Sequence, residues 1–362
     1  MRNKRIVWAV AAIAVVLVLT GAGIAVTLAS RHAPPAAAPG SAGPAEAPSS
    51  AAPTPPPGSD ITGPLDLLLI GVDTRASIPD WEPHADAIML LHVDEGLTRG
   101  YLTSLPRDLR VDMPAFPAAG FGGGRYKITE AMSRGARRPG SQRPDPEQGY
   151  RLLSRVISDY TGIVRFDAGA VLTFTGLSRL TDALHGVTLR IDQKVVSQHR
   201  RPDGRMRTLR AGGGGYVGPQ ATYLPGTRKL NGWQAVDYAR QRYTAGGDYA
   251  RQRHQRQLVK ALLAATATAG LATDPDRLRQ LIGALGDLLI YAGERHPVEY
   301  AYALRNLSPR NLTLVGLPGD SVTSGGGYIG EELRPVGRQY LRAVAGDQAA
   351  AFLAGHPELV HR

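Results

Sequence analysis

Three observations predict an α/β domain. Short, nearly continuous apolar runs closed by glycine or aspartate read as buried strands, stretches with leucines every three or four residues read as amphipathic helices, and the two kinds alternate along the chain. The 362 residues are 43% hydrophobic and 20% charged, enough to bury a sizeable core in one large domain or two small ones.

In residues 1–5, Arg2, Lys4 and Arg5 precede an uncharged apolar run over residues 6–29. At about 1.5 Å per residue that run can cross a hydrocarbon core of about 30 Å, so a transmembrane helix is predicted. The basic residues before it predict a cytoplasmic N-terminus and an extracytoplasmic remainder. A cleaved signal peptide has an apolar core of about 7 to 15 residues, so an uncleaved single-pass anchor in the cell membrane is the reading adopted. Residues 30–59, mostly Ala, Pro, Ser and Gly, read as a disordered linker; at about 3.1 Å per residue it would reach on the order of 80 Å. Residues 60–362 are then the extracytoplasmic domain.

Residues 65–70 (LDLLLI) form a predicted strand closed by Gly71 and leading to Asp73 and Arg75. A second strand, residues 87–93, follows directly on Asp86, and a third, residues 101–105, runs into Arg107 and Asp108. If these strands are neighbours, five charged residues converge at one sheet rim. Residues 116–127 are glycine-rich but lack the GxxxxGK[ST] spacing, so a mobile loop is expected, with Lys127 as a phosphate contact. A helix starts at Thr129 and Glu130, residues 134–146 read as a basic surface loop, and residues 147–160 carry helical periodicity. Residues 171–184 are expected to be a helix, followed by a turn and a strand at 187–191. Residues 198–222 resemble an exposed insertion whose charge is a solvated face. After residue 269 the pattern predicts helices at 278–289 and 298–304, a strand at 312–315 and a terminal helix from Leu333.

Within this frame lies the stretch 238–257, YARQRYTAGGDYARQRHQRQ, with five arginines and one aspartate around a glycine pair. Arg240 and Arg242 share a side if extended, while Asp248, Arg251, His254 or Gln255, and Leu258 recur at helical spacing, with Asp248 positioned to cap that helix. Two sets of guanidinium groups then face one another across residues 243–247. Their planar donor arrays suit phosphate oxygens better than lysine does. The plain alternatives are a solvated basic helix and, for each aspartate at a strand end, a capped turn. Asp73 and Asp86 converging with arginines also match a magnesium site completed by a substrate's phosphates.

A net charge of +11 and a pI near 10.0 favour acidic partners. The absence of cysteine excludes disulfides, thiolate metal sites and a cysteine nucleophile. Nucleophile-elbow, zinc-helix and dinucleotide fingerprints are also missing. Three readings remain: phosphoryl transfer on a pyrophosphate, DNA binding, and non-enzymatic binding of an anionic wall polymer. An exported domain is separated from the cell's duplex DNA, so no nucleic-acid partner is expected.

LDLLLIGVDTR, HADAIMLLHVD, SLPRDLRV, KITEAMSRG and LNGWQAVDYARQRY…GDYARQRHQRQ, in this order, resemble the LytR-CpsA-Psr family of bacterial cell-wall enzymes over roughly residues 66–263. The resemblance implies a central, mostly antiparallel or mixed sheet between helical layers, with a tunnel for a polyprenyl tail. It implies transfer of a glycopolymer of teichoic acid, arabinogalactan or capsule type from a polyprenyl-pyrophosphate donor to a peptidoglycan acceptor, releasing polyprenyl phosphate. A pyrophosphatase or a regulator is the alternative. Asp73 and Asp86 match the ligands of Mg2+, with Mn2+ as a substitute. Arg107, Arg240, Arg242, Arg251 and Gln255 match the pyrophosphate positions, with Arg75 and Lys127 nearby. His84 and His254 depart from the family by standing where it often has arginine. Asp86 and Asp108 both stay open as general base, and residues 171–184, 258–263 and 278–290 are the faces that could line the tunnel.

Overall fold

The computed structural model describes residues 55–73, 82–271 and 274–361. The apolar run at 6–29, most of the linker, and Arg75 lie outside the described residues. Among the described residues no helix is long and apolar enough to cross a membrane.

Seven strands form the central sheet: β1 (Leu65–Asp73), β2 (His84–Val93), β3 (Gly100–Leu105), and, later in the chain, Ala168–Thr173, Leu289–Gly293, Leu312–Gly316 and Val360–His361. β1 pairs antiparallel with β2, and β2 antiparallel with β3. Ala168–Thr173 runs parallel to β1 on its other side, and Leu312–Gly316 runs parallel to β3. The sheet is therefore mixed. Continuous apolar strands need cover on both faces, and alternation along β1 divides the core in two. Leu67 and Leu69 join one cluster with Leu258, Leu262 and Leu278; Leu68 and Ile70 join the other with Leu152, Val156, Tyr340 and Leu341. Helices cover both faces, as the resemblance implies.

Several sequence expectations are corrected. Residues 171–184 are not one helix: Ala168–Thr173 enters the sheet, and Thr173 then caps α1 (Phe174–Ala183) by accepting from the Gly176 amide at 3.0 Å. The glycine-rich loop closes into a hairpin, Arg110–Met113 against Gly124–Lys127. Arg134 sits inside the helix Thr129–Ala136, paired with Glu130 at 2.6 Å, so the surface loop starts later. The helix expected at 278–289 stops at Leu285, and Leu289–Gly293 becomes an edge strand. A second hairpin, Gly319–Ser324 with Gly327–Leu333, precedes the helix Pro335–Ala345.

Candidate functional site

The register of β1 and β2 builds the first half of the site. Gly71 pairs with Ala87 and Val72 with Ala85, which leaves Asp86 as the extra residue of a β-bulge at the strand ends. Asp73 closes β1 with His84 as its cross-strand partner. Arg107 follows β3 and donates from Nη1 to Asp86 Oδ1 at 2.6 Å.

The second half comes from two helices, α2 (Gly232–Arg240) and α3 (Gly247–Thr268). Asn231 and Gln234 form a capping box that starts α2, and Arg240 is its last residue. Arg240 donates from Nη2 to Asp73 Oδ2 at 3.2 Å and lies 4.1 Å from the centre of the Phe174 ring. The turn needs its glycines: Gly246 caps α3 at φ +87° and Gly247 follows at +52°. Asp248 is therefore not the cap. It sits in the first turn, 2.9 Å from Arg251 and 3.8 Å from Arg107 Nε, and bridges the two arginines.

Arg251 is only 5% exposed. Burial pushes its pKa down, the positive charges of Arg107 and Arg242 push the same way, and Asp248 opposes them. For Arg107 burial acts against the charge too, but Asp86 outweighs it and the net shift is upward. Both Arg107 Nε and Arg251 Nε are buried with no hydrogen-bond partner among the described residues. Unspent buried donors at a cluster of guanidinium groups fit an anionic ligand.

Beside this cluster, between the sheet and α1, α2 and α3, lies an apolar cavity of about 80 Å3, or about 750 Å3 with its open mouth included. Leu69, Met89, Leu172, Leu177, Leu258 and Leu262 are among its walls, and Arg240 and Gln255 are its polar members. Two of the three faces named for a tunnel line it; residues 278–290 do not.

The other candidates meet this arrangement to different degrees. Lys127 is 3.5 Å from Asp108 and lies over the Tyr328 ring. Arg242 is exposed. His254 is fully buried, stacks on Tyr238 with centroids 4.4 Å apart, and contacts Asp192 at 3.1 Å; burial pushes its pKa down despite that carboxylate. It packs the helix rather than extending the arginine cluster. Sequence reasoning missed Tyr249, Tyr328 and Glu331. The Tyr249 hydroxyl donates to Glu331 at 2.9 Å, Tyr328 donates to Asp108 at 3.1 Å, and burial, with Asp248 and Asp108 nearby, raises the Glu331 pKa. Two of these three lie on the second hairpin, where the sequence carried no motif.

Comparison with known proteins agrees with this layout. The LytR_cpsA_psr family model matches residues 42–287, more than half of the chain. The chain belongs to that family. Among relatives of the LytR_cpsA_psr chain, Biofilm regulatory protein A of Streptococcus mutans is 28% identical over 205 residues, covering 55% of this chain and 43% of the relative. Cell wall biosynthesis protein LcpA of Corynebacterium glutamicum is 24% identical over 294 residues, 75% and 53%. The chain spans about half the length of these relatives. Among solved structures, protein gbs0355 from Streptococcus agalactiae superposes with TM-score 0.62 at 21% identity, covering 79% of this chain and 88% of that one. TagT bound to LIIa-WTA gives 0.55 at 21%, with 82% and 94% covered. At such identities the likeness establishes the fold.

Proposed function

We propose that the chain is a Mg2+-dependent phosphotransferase that moves a glycopolymer from a polyprenyl-pyrophosphate carrier to a peptidoglycan hydroxyl. The observation that carries this reading is the apolar cavity meeting the arginine–aspartate cluster at Arg240 and Gln255. One amphiphile, an apolar tail on a pyrophosphate, satisfies both surfaces. LcpA's role in cell wall biosynthesis and the ligand of TagT support the same direction.

In this reading Arg240, Arg251, Arg107 and Arg242 hold the pyrophosphate and stabilise the charge that grows on its oxygens, the dominant contribution in phosphoryl transfer. The acceptor oxygen forms a bond to the phosphorus bearing the glycan, the bridging P–O bond breaks, and polyprenyl phosphate leaves. The acceptor proton goes to a rim carboxylate, Asp86 or Asp108. Asp73 and Asp86 fit as metal ligands of a particular kind. Among the described residues no group of three acidic or histidine side chains forms a complete cage, so an ion there would take its other ligands from phosphate and water. When bound, Mg2+ or Mn2+ supplies charge neutralisation on the pyrophosphate.

The test is to incubate the full chain in detergent with Mg2+, a lipid-pyrophosphate glycan and peptidoglycan oligomers. Lipid monophosphate together with linked product is expected. Release without linkage would make the protein a pyrophosphatase, and neither product would make it a binder.

A further inference from the structure

Arg256 follows Arg251 by five residues on α3. At about 100° per residue it leaves the helix about 140° away, and it faces the end of the strand Leu312–Gly316 instead of the arginine–aspartate cluster. Only 2% of it is exposed. Its Nε is buried without a hydrogen-bond partner, and among the described residues no carboxylate answers its charge. Arg253, one turn earlier, is paired with Asp192 at 2.6 Å, and His254 takes the other oxygen of that carboxylate at 3.1 Å.

A second group without a partner meets Arg256 there. Val360–His361 is the edge strand beside Leu312–Gly316, and His361 stands opposite Leu314, which belongs to the core cluster under α3. Gly316 makes room for both groups: a Cβ there would stand 3.0 Å from Arg256 Nη2 and closer still to His361 Nε2. Neither nitrogen has a hydrogen-bond partner among the described residues. The His361 ring is half-buried, so the pair is reached from the edge of the sheet. Burial, then Arg256 and Arg253, push the His361 pKa down to about 4; burial and then Arg253 push that of Arg256 down to about 9. Both shifts run in the direction of positive charge with no negative counterpart.

A guanidinium taken out of water is costly unless it is paired. Water can occupy free donors, but it leaves the charge unbalanced beside Arg253. An anion answers both the donors and the charge. The planar fork of Arg256 and the N–H of an imidazole suit an anion with several oxygens better than a spherical halide.

We infer that Arg256 and His361 form a second anion site, on the far side of α3 from Arg251, which takes a small oxyanion such as phosphate over Gly316. When filled, it ties the C-terminal edge strand to the helix that carries Arg251. The inference does not depend on the transferase reading, because none of its residues belongs to the proposed pyrophosphate clamp.

The test follows the His361 imidazole by NMR in the full chain, isotope-labelled at histidine and held in neutral detergent, during titration with sodium phosphate or sodium chloride at equal ionic strength. His361→Gln assigns the signal. A saturable shift is expected with phosphate and not with chloride, and it should persist in Arg240→Ala, where the pyrophosphate cluster is broken. Arg256→Met should weaken phosphate binding read at His361 by at least about tenfold. Arg256→Lys keeps the charge without the fork; it should weaken binding less, and it covers the case of a methionine variant that does not fold. A wild-type signal that does not saturate with phosphate overturns the inference, and so does an equal response to chloride. Undiminished affinity in both Arg256 variants overturns it as well. Loss of the shift in Arg240→Ala would assign the signal to the pyrophosphate cluster and overturn it too.

Discussion

Arg251 and His254 stand three residues apart on α3 and meet opposite environments. Arg251 keeps a buried Nε unpaired beside Asp248 and Arg107, whereas His254 stacks on Tyr238 and meets Asp192 through Nε2, its own buried Nδ1 left without a partner. Replacing Arg251 with alanine should cut transfer on the order of 10² to 10³-fold, because one of the groups facing the developing charge is gone. His254→Ala should leave pyrophosphate affinity within about twofold while lowering stability by about 2 kcal/mol, the scale of a lost buried hydrogen bond and ring contact. Transfer assays alongside denaturant melts of both variants separate the roles. A His254→Ala protein that folds normally but no longer binds pyrophosphate would return that histidine to the site. In the sequence both residues fall on the same arginine-rich run, and spacing cannot say which side chain faces the core.

At the scale of elements, α3 couples the two halves of the ligand surface: Arg251 serves the anion site, Gln255 stands at its junction with the cavity, and Leu258, Val259 and Leu262 line the apolar space. Filling that space without touching the arginines tests the coupling. Ala170, buried on the sheet face below the cavity, can be changed to leucine. Ala170→Leu should raise the melting temperature, since an empty apolar volume is filled, yet lower affinity for a polyprenyl phosphate by about tenfold or more and leave inorganic pyrophosphate binding unchanged. Equal loss for both ligands would mean that the cavity does not hold the tail. The strands that carry Asp73, Asp86 and Arg107 were legible because continuous apolar runs ending in charge have few other interpretations. Residues 171–184 were not, because Val171 and Leu172 satisfy a strand and a helix equally until the neighbouring β1 is known. The insertion at 198–222, folded and not merely a solvated face, was illegible for another reason: Arg207, bonded to loop carbonyls, holds it, and such a contact leaves no period in the sequence.

At the scale of the whole molecule, one imidazole at the strand ends opposite the site links the sheet to the turn after the helix Pro335–Ala345. His92, 2% exposed on β2, contacts Asp66 of β1 through Nδ1 and Asp347, in the turn after Pro335–Ala345, through Nε2, each at 2.9 Å. Tyr101 on β3 lies beside it with ring centroids 6.2 Å apart, and the Asp94–Arg99 pair closes the same rim. Burial alone would lower the His92 pKa, but Asp66 and then Asp347 outweigh it, so the folded value is raised above 6.5. A raised pKa means that the folded state holds the proton more tightly. This contribution is fully present below about pH 6.5 and is lost as pH climbs through the folded value. His199 and His254, whose pKa values burial lowers, act in the opposite sense, but they titrate below 6.5 and leave the alkaline window to His92. Melting curves of wild type and Asp347→Asn should therefore differ by several degrees at pH 6, the loss of one charge-assisted bond of about 1.5–3 kcal/mol, and converge toward pH 9. A constant difference across that range would mean that Asp347 acts through packing, and that the C-terminal helices are held to the sheet without the charge on His92.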